Sequence, residues 1–405
     1  MKNTKKQKKW TLPRHKVVRV VIGAAFSPIV RAKYGIKIER FKQEGKRPYL
    51  VLYNHQTAYD QFFVGLAFAR PVYYVASEDI FSLGALSSLI RFLVNPIPIK
   101  KQTTDPRAVI NCIKVAKEGG TIAIAPEGNR TYSGRPVYIK PTIAQLAKHL
   151  KLPIAIFKIE GGYGVHPRWS DVVRRGKMRA GVSRVIEPEE AAALSDSELA
   201  ELIGRELYVD EARADREYKS AHLAEYLERA MYICPDCGLS EFESHGDVIE
   251  CKKCKRRVRY TKTTELSGID KPFPFRFVAD WYDYQCAYIN SLHTLEMSGK
   301  VIYSDVANLS EVILYKKKQP IAKNAKIALM CDRMTVSFGN ETLDLPFSSA
   351  SSITVLGKNK LNVYFGDKVY QLKGDERFCA LKYVNLYYRY KNLIKGDEND
   401  TFLGL

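Results

Sequence analysis

Three clusters of residues in this sequence have the composition and spacing for chemistry. The first is Asn54-His55-Gln56-Thr57-Ala58-Tyr59-Asp60, which follows the apolar run Tyr49 to Tyr53. A strand that empties into polar residues turns into a loop or a helix start, where α/β proteins place reacting groups. With a helix beginning near Thr57, Asp60 sits on its first turns and His55 just outside it. The carboxylate can then hold one ring nitrogen and fix the tautomer, leaving the other nitrogen to take a proton from a hydroxyl. The same residues also fit a plain helix N-terminus, with Asn54 and Asp60 capping and charging it.

The second cluster is Pro126-Glu127-Gly128-Asn129-Arg130, which ends the apolar run Thr121 to Ala125. Arg130 can grip a phosphate with its fork geometry, and Gly128 admits close backbone approach. Glu127 suits holding the loop or an arginine better than reacting. A solvated loop with an ordinary salt bridge is the competing reading. Strand ends on one side of a parallel sheet share an edge, so this loop can meet the His55 loop across one crevice. Between them, Asn95 to Lys101 is a proline-braced strand ending in two cations, which a substrate phosphate would explain. Neither a dinucleotide fingerprint nor a Walker pattern is present.

The third cluster is Cys234-Pro235-Asp236-Cys237 and Cys251-Lys252-Lys253-Cys254, thirteen residues apart. Two such knuckles close on one tetrahedral metal, and four thiolates select zinc with no open position, so the expected role is structural. A redox Cys-x-x-Cys is the weaker rival. The neighbouring Lys252, Lys253, Lys255, Arg256, Arg257 and Arg259 suit nucleic acid, an acidic carrier protein or lipid headgroups equally.

The elements around these clusters alternate strand and helix. Strands are expected at 37–39, 49–53, 72–76, 95–101 and 121–125, with a helix from Asp60 to Ala69. Another runs from Asp105, a cap, through Pro106 to the stop Gly119-Gly120. Residues 81–93 have helical spacing and almost unbroken apolar character, which fits an acyl pocket, contact with lipid, or plain core. Ser195-Asp196-Ser197-Glu198 is a capping box opening a helical stretch to about Ala230, broken near Tyr208-Val209-Asp210. After residue 271 come short strands at 311–315, 325–330, 335–338, 361–365 and 368–372, then a helix from about Glu376 to Leu393. Such strands with one closing helix suggest a pleckstrin-homology-like barrel.

At 405 residues the chain calls for two or three domains, and its net charge of +20 calls for an anionic partner, nucleic acid or an acidic membrane surface. Basic residues from Lys2 to Arg19 with Trp10 precede an apolar stretch at 20–30 that is too short to span a bilayer. It reads as a segment lying in a membrane interface, with a signal peptide and a buried helix as rivals. No disulfide framework is indicated among the eight cysteines, so a reducing, cytoplasm-facing setting is expected.

Asn54-His55-Gln56-Thr57-Ala58-Tyr59-Asp60 resembles the Asn-His-x-x-x-x-Asp signature of the 1-acylglycerol-3-phosphate acyltransferases. Ala125-Pro126-Glu127-Gly128-Asn129-Arg130-Thr131 resembles their Phe-Pro-Glu-Gly-Thr-Arg-Ser block. Between these lies Ile97-Pro98-Ile99-Lys100-Lys101, with Lys101 where the family has arginine, and Leu152-Pro153-Ile154-Ala155 resembles the final Val-Pro-Val block. The resemblance covers about residues 15 to 185. It departs at Ala125, Asn129 and Thr131, and at Lys101, which offers a point charge in place of a fork.

The resemblance implies a mixed α/β sheet flanked by helices, in a domain taken as residues 1–230, and the cysteine spacing and strand pattern add a zinc ribbon at 231–262 and a β-rich domain at 271–405. It implies a phospholipid-biosynthetic enzyme at the cytoplasmic membrane face, moving an acyl group from acyl-coenzyme A or acyl carrier protein to lysophosphatidate or a related lysophospholipid. His55 and Asp60 would be catalytic, and Lys101, Glu127, Gly128 and Arg130 would bind substrate. Cys234, Cys237, Cys251 and Cys254 would hold structural zinc, and no catalytic cofactor is needed. Two other classes remain: a zinc-ribbon nucleic-acid binder, and a non-catalytic lipid-binding adaptor.

Overall fold

A computed structural model describes residues 9–99, 105–213, 216–297, 299–396 and 401–404. The first sheet has strands β1 (Ile36–Ile38), β2 (Leu50–Tyr53), β3 (Val72–Ser77), β4 (Ile97–Ile99), β5 (Thr121–Ile124), β6 (Ile154–Glu160) and β7 (Met178–Ile186). Their order is β1-β7-β6-β2-β5-β3-β4, and every neighbouring pair is parallel except β6 with β7. Eight helices accompany it: α1 (Pro13–Tyr34), α2 (Asp60–Ala67), α3 (Ala85–Val94), α4 (Pro106–Lys117), α5 (Thr142–Leu150), α6 (Gly162–Val165), α7 (Pro188–Ala193) and α8 (Asp196–Leu207).

Both faces of β2 are covered, which is why its sequence is apolar throughout. Tyr49, Val51 and Tyr53 pack with Phe63, Val64 and Phe157 on one side. Leu50 and Leu52 pack with Val115, Ile122, Ala144 and Ile203 on the other. Local signals start the helices as expected. The Asp105 carboxylate accepts from the backbone N–H of Arg107 at 3.1 Å and Ala108 at 3.3 Å, with Pro106 in the first turn. Ser195 and Glu198 close a reciprocal capping box on α8.

Beyond α8 the chain departs from the helical expectation. The helix stops at Leu207, Tyr208 turns extended, and the described residues from there to 230 are irregular apart from an isolated bridge of Lys219 to Arg175 and a 3₁₀ turn at Leu227–Arg229. Buried polar anchors replace helical bonding there. The Glu211 carboxylate accepts from the N–H groups of Gly161 and Tyr163, and Arg229 pairs with Asp171 at 2.9 Å.

The cysteine region forms the two-stranded ladder β8 (Ile233–Cys234) and β9 (Gly238–Leu239). It also forms a four-stranded sheet of β10 (Phe242–His245), β11 (Val248–Cys251), β12 (Arg257–Tyr260) and β13 (Leu266–Gly268). Helix α9 (Val278–Asn290), absent from the sequence expectation, packs its Trp281 against Phe242 and Phe273.

The last sheet is antiparallel throughout. Its strands are β14 (Tyr303–Glu311), β15 (Gln319–Leu329), β16 (Arg333–Phe338), β17 (Glu341–Pro346), β18 (Ala350–Leu356), β19 (Lys360–Phe365) and β20 (Lys368–Gly374), in the order β17-β16-β15-β14-β20-β19-β18. Helix α10 (Leu381–Ile394) closes it, with Leu381, Tyr383, Leu386 and Tyr387 buried. Residues 312–315, expected as strand, instead leave the sheet in a turn with Tyr315 at φ 65°. One buried cluster runs from Tyr132 and Trp169 of the first region through Tyr232 and Trp281 to Tyr383 of the last.

Candidate active site

The ends of β2 and β5 lie side by side, because Leu52 and Ile124 are register partners in parallel strands. The two polar loops therefore leave the same edge of the sheet. Asn54 does not cap α2. Its amide donates to Ile159 O at 2.8 Å and accepts from Ile159 N–H at 2.7 Å, tying the end of β2 to β6.

His55 Nδ1 lies 2.7 Å from Asp60 Oδ2. Asp60 is fully buried and also accepts from the N–H of Gln56 at 2.8 Å, the N–H of Thr57 at 2.9 Å and the Thr57 hydroxyl at 2.7 Å. A carboxylate surrounded by donors only accepts, so Nδ1 carries the ring proton and Nε2 is the basic nitrogen. The His55 side chain keeps 25 % of its surface. It lines a cavity of about 1590 Å³ whose other walls include Phe26, Phe62, Leu66, Ile90 and Ile110.

Glu127 lies in the same cavity, and its carboxylate accepts from the His55 backbone N–H at 3.4 Å. Burial first, and the neighbouring Asp60 charge in addition, push its carboxyl up to about 8 against the lowering effect of that N–H. Glu127 is therefore largely protonated at neutral pH, and Asp60 is the carboxylate that orients the imidazole. Gly128 has φ +66°, and a Cβ there would meet nothing within 4 Å. The left-handed backbone favours glycine at this position, which lines the cavity.

Arg130 does not line the cavity. It is grouped with Tyr34, Tyr132, His166 and Arg168 beside Asp60. Burial and Arg168 push its guanidinium down to about 10, and its Nη1 is buried with no hydrogen-bond partner among the described residues. Arg168 donates to Arg130 O at 2.8 Å and to Asn129 Oδ1 at 3.3 Å, with its guanidinium 4.4 Å from the Tyr132 ring centre. Burial, Arg130 and Lys33 push His166 down to about 4. The sequence reading missed Lys33, His166 and Arg168. A findable signal for the last two was the polar stretch after β6, which ends on the same sheet edge as β2. Lys101 lies outside the described residues.

The four cysteines at the two knuckles converge, with all their sulfurs within 4.8 Å of one another and Cys234 and Cys254 Sγ at 3.7 Å. A tetrahedron with metal–sulfur bonds of about 2.3 Å has edges of about 3.8 Å, so the donor set and its spacing fit zinc. Most of the neighbouring cations are paired. Arg256 forms a two-pronged bridge to Asp236 at 2.6 and 2.8 Å, Arg257 pairs with Asp270, Arg259 with Asp247, and Lys255 with Glu250.

Comparison with known proteins places the sheet-edge site in a family. The sequence model of the Acyltransferase family matches residues 35–159. A 1-acyl-sn-glycerol-3-phosphate acyltransferase of Bacillus subtilis (strain 168) is 24% identical over 128 residues, 31% of this chain, and the chain spans 60% of that relative's length. The solved 1-acyl-sn-glycerophosphate (LPA) acyltransferase PlsC from Thermotoga maritima aligns at 18% identity and a TM-score of 0.37, over 47% of this chain and 90% of that one. A 37-residue segment, 9% of the chain, is 43% identical to subunit 12 of the DNA-directed RNA polymerases II, IV and V of Arabidopsis thaliana, covering 72% of that protein. The His55 and Glu127 loops both fall inside the stretch that matches the Acyltransferase family model.

Proposed function

We propose that this protein transfers a fatty acyl group from a thioester to the free hydroxyl of a lysophospholipid. The observation that carries the reading is the 2.7 Å contact between His55 Nδ1 and a fully buried Asp60, set in the wall of an apolar cavity large enough for an acyl chain. His55 Nε2 takes the proton of the acceptor hydroxyl as its oxygen attacks the thioester carbonyl carbon. The C–S bond then breaks, and the imidazolium returns the proton to the leaving thiolate. Asp60 holds the ring throughout and no acyl-enzyme forms. Arg130, with Lys33 and His166 near it and Lys101 from the preceding segment, is proposed to hold the acceptor phosphate, which selects lysophosphatidate among acceptors.

The protein is proposed to work on the cytoplasmic face of a membrane as a peripheral protein. No helix among the described residues is long and apolar enough to cross a membrane. However, Val17, Val20, Val21 and Ile29 of α1 and Leu86, Leu89 and Phe92 of α3 are exposed. The two helices meet where the Arg14 guanidinium lies 4.2 Å from the Phe92 ring centre. Apolar side chains beside Arg14, Lys16 and Arg91 suit the interface of an anionic bilayer. Cys234, Cys237, Cys251 and Cys254 are proposed to hold a structural zinc, which would staple the two knuckles. The pairing of the ribbon's arginines with carboxylates disfavours a nucleic-acid role.

The test is transfer of radiolabelled acyl groups, from coenzyme A and from acyl carrier protein, to a panel of lysophospholipids in vesicles. Product with lysophosphatidate is expected, reduced about 10²- to 10⁴-fold or more by His55→Ala. Activity retained in the variant overturns the mechanism, and no product from folded wild-type protein with any pair overturns the function.

A further inference from the structure

The last sheet reaches back to the catalytic region at the wall of the apolar cavity, apart from its Lys358–Asp171 pair and the shared buried cluster. The 3₁₀ turn Glu78–Ser82 and α3 supply Ile80, Leu86, Ile90 and Leu93 to the cavity lining. Helix α3 is poorly anchored by its own packing, because Ser87 is its only buried residue. A helix without a buried apolar stripe takes its position from contacts at its ends.

At the C-terminal end of α3, Arg14 donates to Phe92 O at 3.0 Å, and at its N-terminal end the contacts come from the turn between β14 and β15. Ser82 Oγ donates to Ile313 O at 3.1 Å, Lys318 N–H donates to Ser82 O at 3.2 Å, and Leu83 pairs with Lys317 as an isolated antiparallel bridge. The Tyr315 ring stands edge-on to Phe81 at 5.8 Å between centres and lies 4.8 Å from the Arg91 guanidinium. Beneath them, Asp79 is 9 % exposed and pairs with Lys318, with Lys360 Nζ at 3.6 Å, and with the Gln371 amide at 3.1 Å. Lys318 and Gln371 also bond each other at 2.7 Å. Three partners from the last sheet thus converge on one carboxylate that begins the segment leading into α3.

We infer that the C-terminal sheet sets the acyl-chain preference of the enzyme, by fixing α3 against the cavity through Asp79 and the turn 312–318. This rests on the acyl-transfer reading above. Asp79 and Tyr315 are positioning residues, since neither reaches His55. A wall held at one distance favours the chain length that fills the cavity, and each methylene group kept in contact is worth about fourfold in relative rate. A released wall accepts more lengths with less discrimination.

The experiment measures kcat/KM of the full chain for tetradecanoyl and hexadecanoyl thioesters, together with hydrogen exchange of residues 85–94. It compares wild type with Asp79→Asn, Lys318→Met and Tyr315→Ala. Tyr315 is 52 % exposed, so its replacement keeps the test open if the buried variants fail to fold. Arg333→Gln, which breaks a surface pair in the same sheet, is the control. The expected result is faster exchange in α3 and a preference between the two donors that moves toward unity by about fourfold or more, with the pH dependence of the rate unchanged. An unmoved donor ratio in Tyr315→Ala and in every folded Asp79 or Lys318 variant overturns the inference while leaving acyl transfer standing. Absence of transfer in wild type would instead remove the reading on which it rests.

Discussion

The two large sheets bury their strands differently, and the difference decides where each can carry function. In the first, the central strand β2 is buried along its whole length, and β6 is nearly so. These central strands have few side chains to spare, and the groups proposed for the site sit where strands end, at His55, Glu127 and His166. In the last sheet, the C-terminal end of β15 alternates buried with exposed or half-buried residues, and β16 alternates buried with half-buried ones. Long open faces and turns are what such a sheet offers, and its firmest contact with the catalytic region is a turn. Parallel layering concentrates reactivity at an edge, while one-sided layering produces surfaces for holding other parts.

That contrast can be broken by experiment. The largest effect is expected between the sheets: stripping metal with a chelator, or Cys251→Ser, should unfold the ribbon. A drop in zinc content with loss of ribbon amide protection would show it. Full protection with no metal bound would place the ribbon's stability in its apolar core alone. Next, Leu52→Ala, at a site buried on a doubly covered strand, should cost about 2–5 kcal/mol in urea unfolding. Ile321→Ala, on an open face of β15, should cost under about 0.5 kcal/mol. Similar losses at both sites would erase the distinction drawn between the sheets.

A further test, read across pH, concerns Glu127. Its carboxyl, raised from its ordinary 4.5 to about 8 in the folded protein, holds a proton there that the unfolded chain releases. The stability tied to that proton is complete below about 4.5 and is lost as pH rises through about 8, at up to about 1.4 kcal/mol per pH unit. Glu127→Gln should flatten the stability profile across that window. An unchanged slope would mean that Glu127 ionises as an ordinary carboxyl.

What could be read from the sequence was local. His55 and Asp60 are five positions apart and meet across the short loop that leads into α2, and the caps at Asp105 and Ser195 act within three residues. The Lys33, His166 and Arg168 environment of Arg130 was not legible, because α1 and the loop after β6 reach Arg130 only through the order of the folded sheet. Val312-Ile313-Leu314-Tyr315 has the composition of a strand, yet docking onto Ser82 and Phe81 takes it out of the sheet. That is tertiary contact overriding β-propensity. The helical reading beyond Leu207 failed for a similar reason, since Glu211 and Arg229 satisfy distant backbone groups in place of their own helix.

The buried cluster that threads Tyr132, Trp169, Tyr232, Trp281 and Tyr383 also governs how this molecule can be cut. A gene truncated before the cysteine knuckles would keep the sheet and both site loops, but it would turn Trp169 and Tyr132 out to water. Arg229 would lose its bond to Glu376 O. Such a fragment would carry a sticky aromatic face immediately behind the Arg130 loop, so expression of the whole chain is the practical route to soluble enzyme.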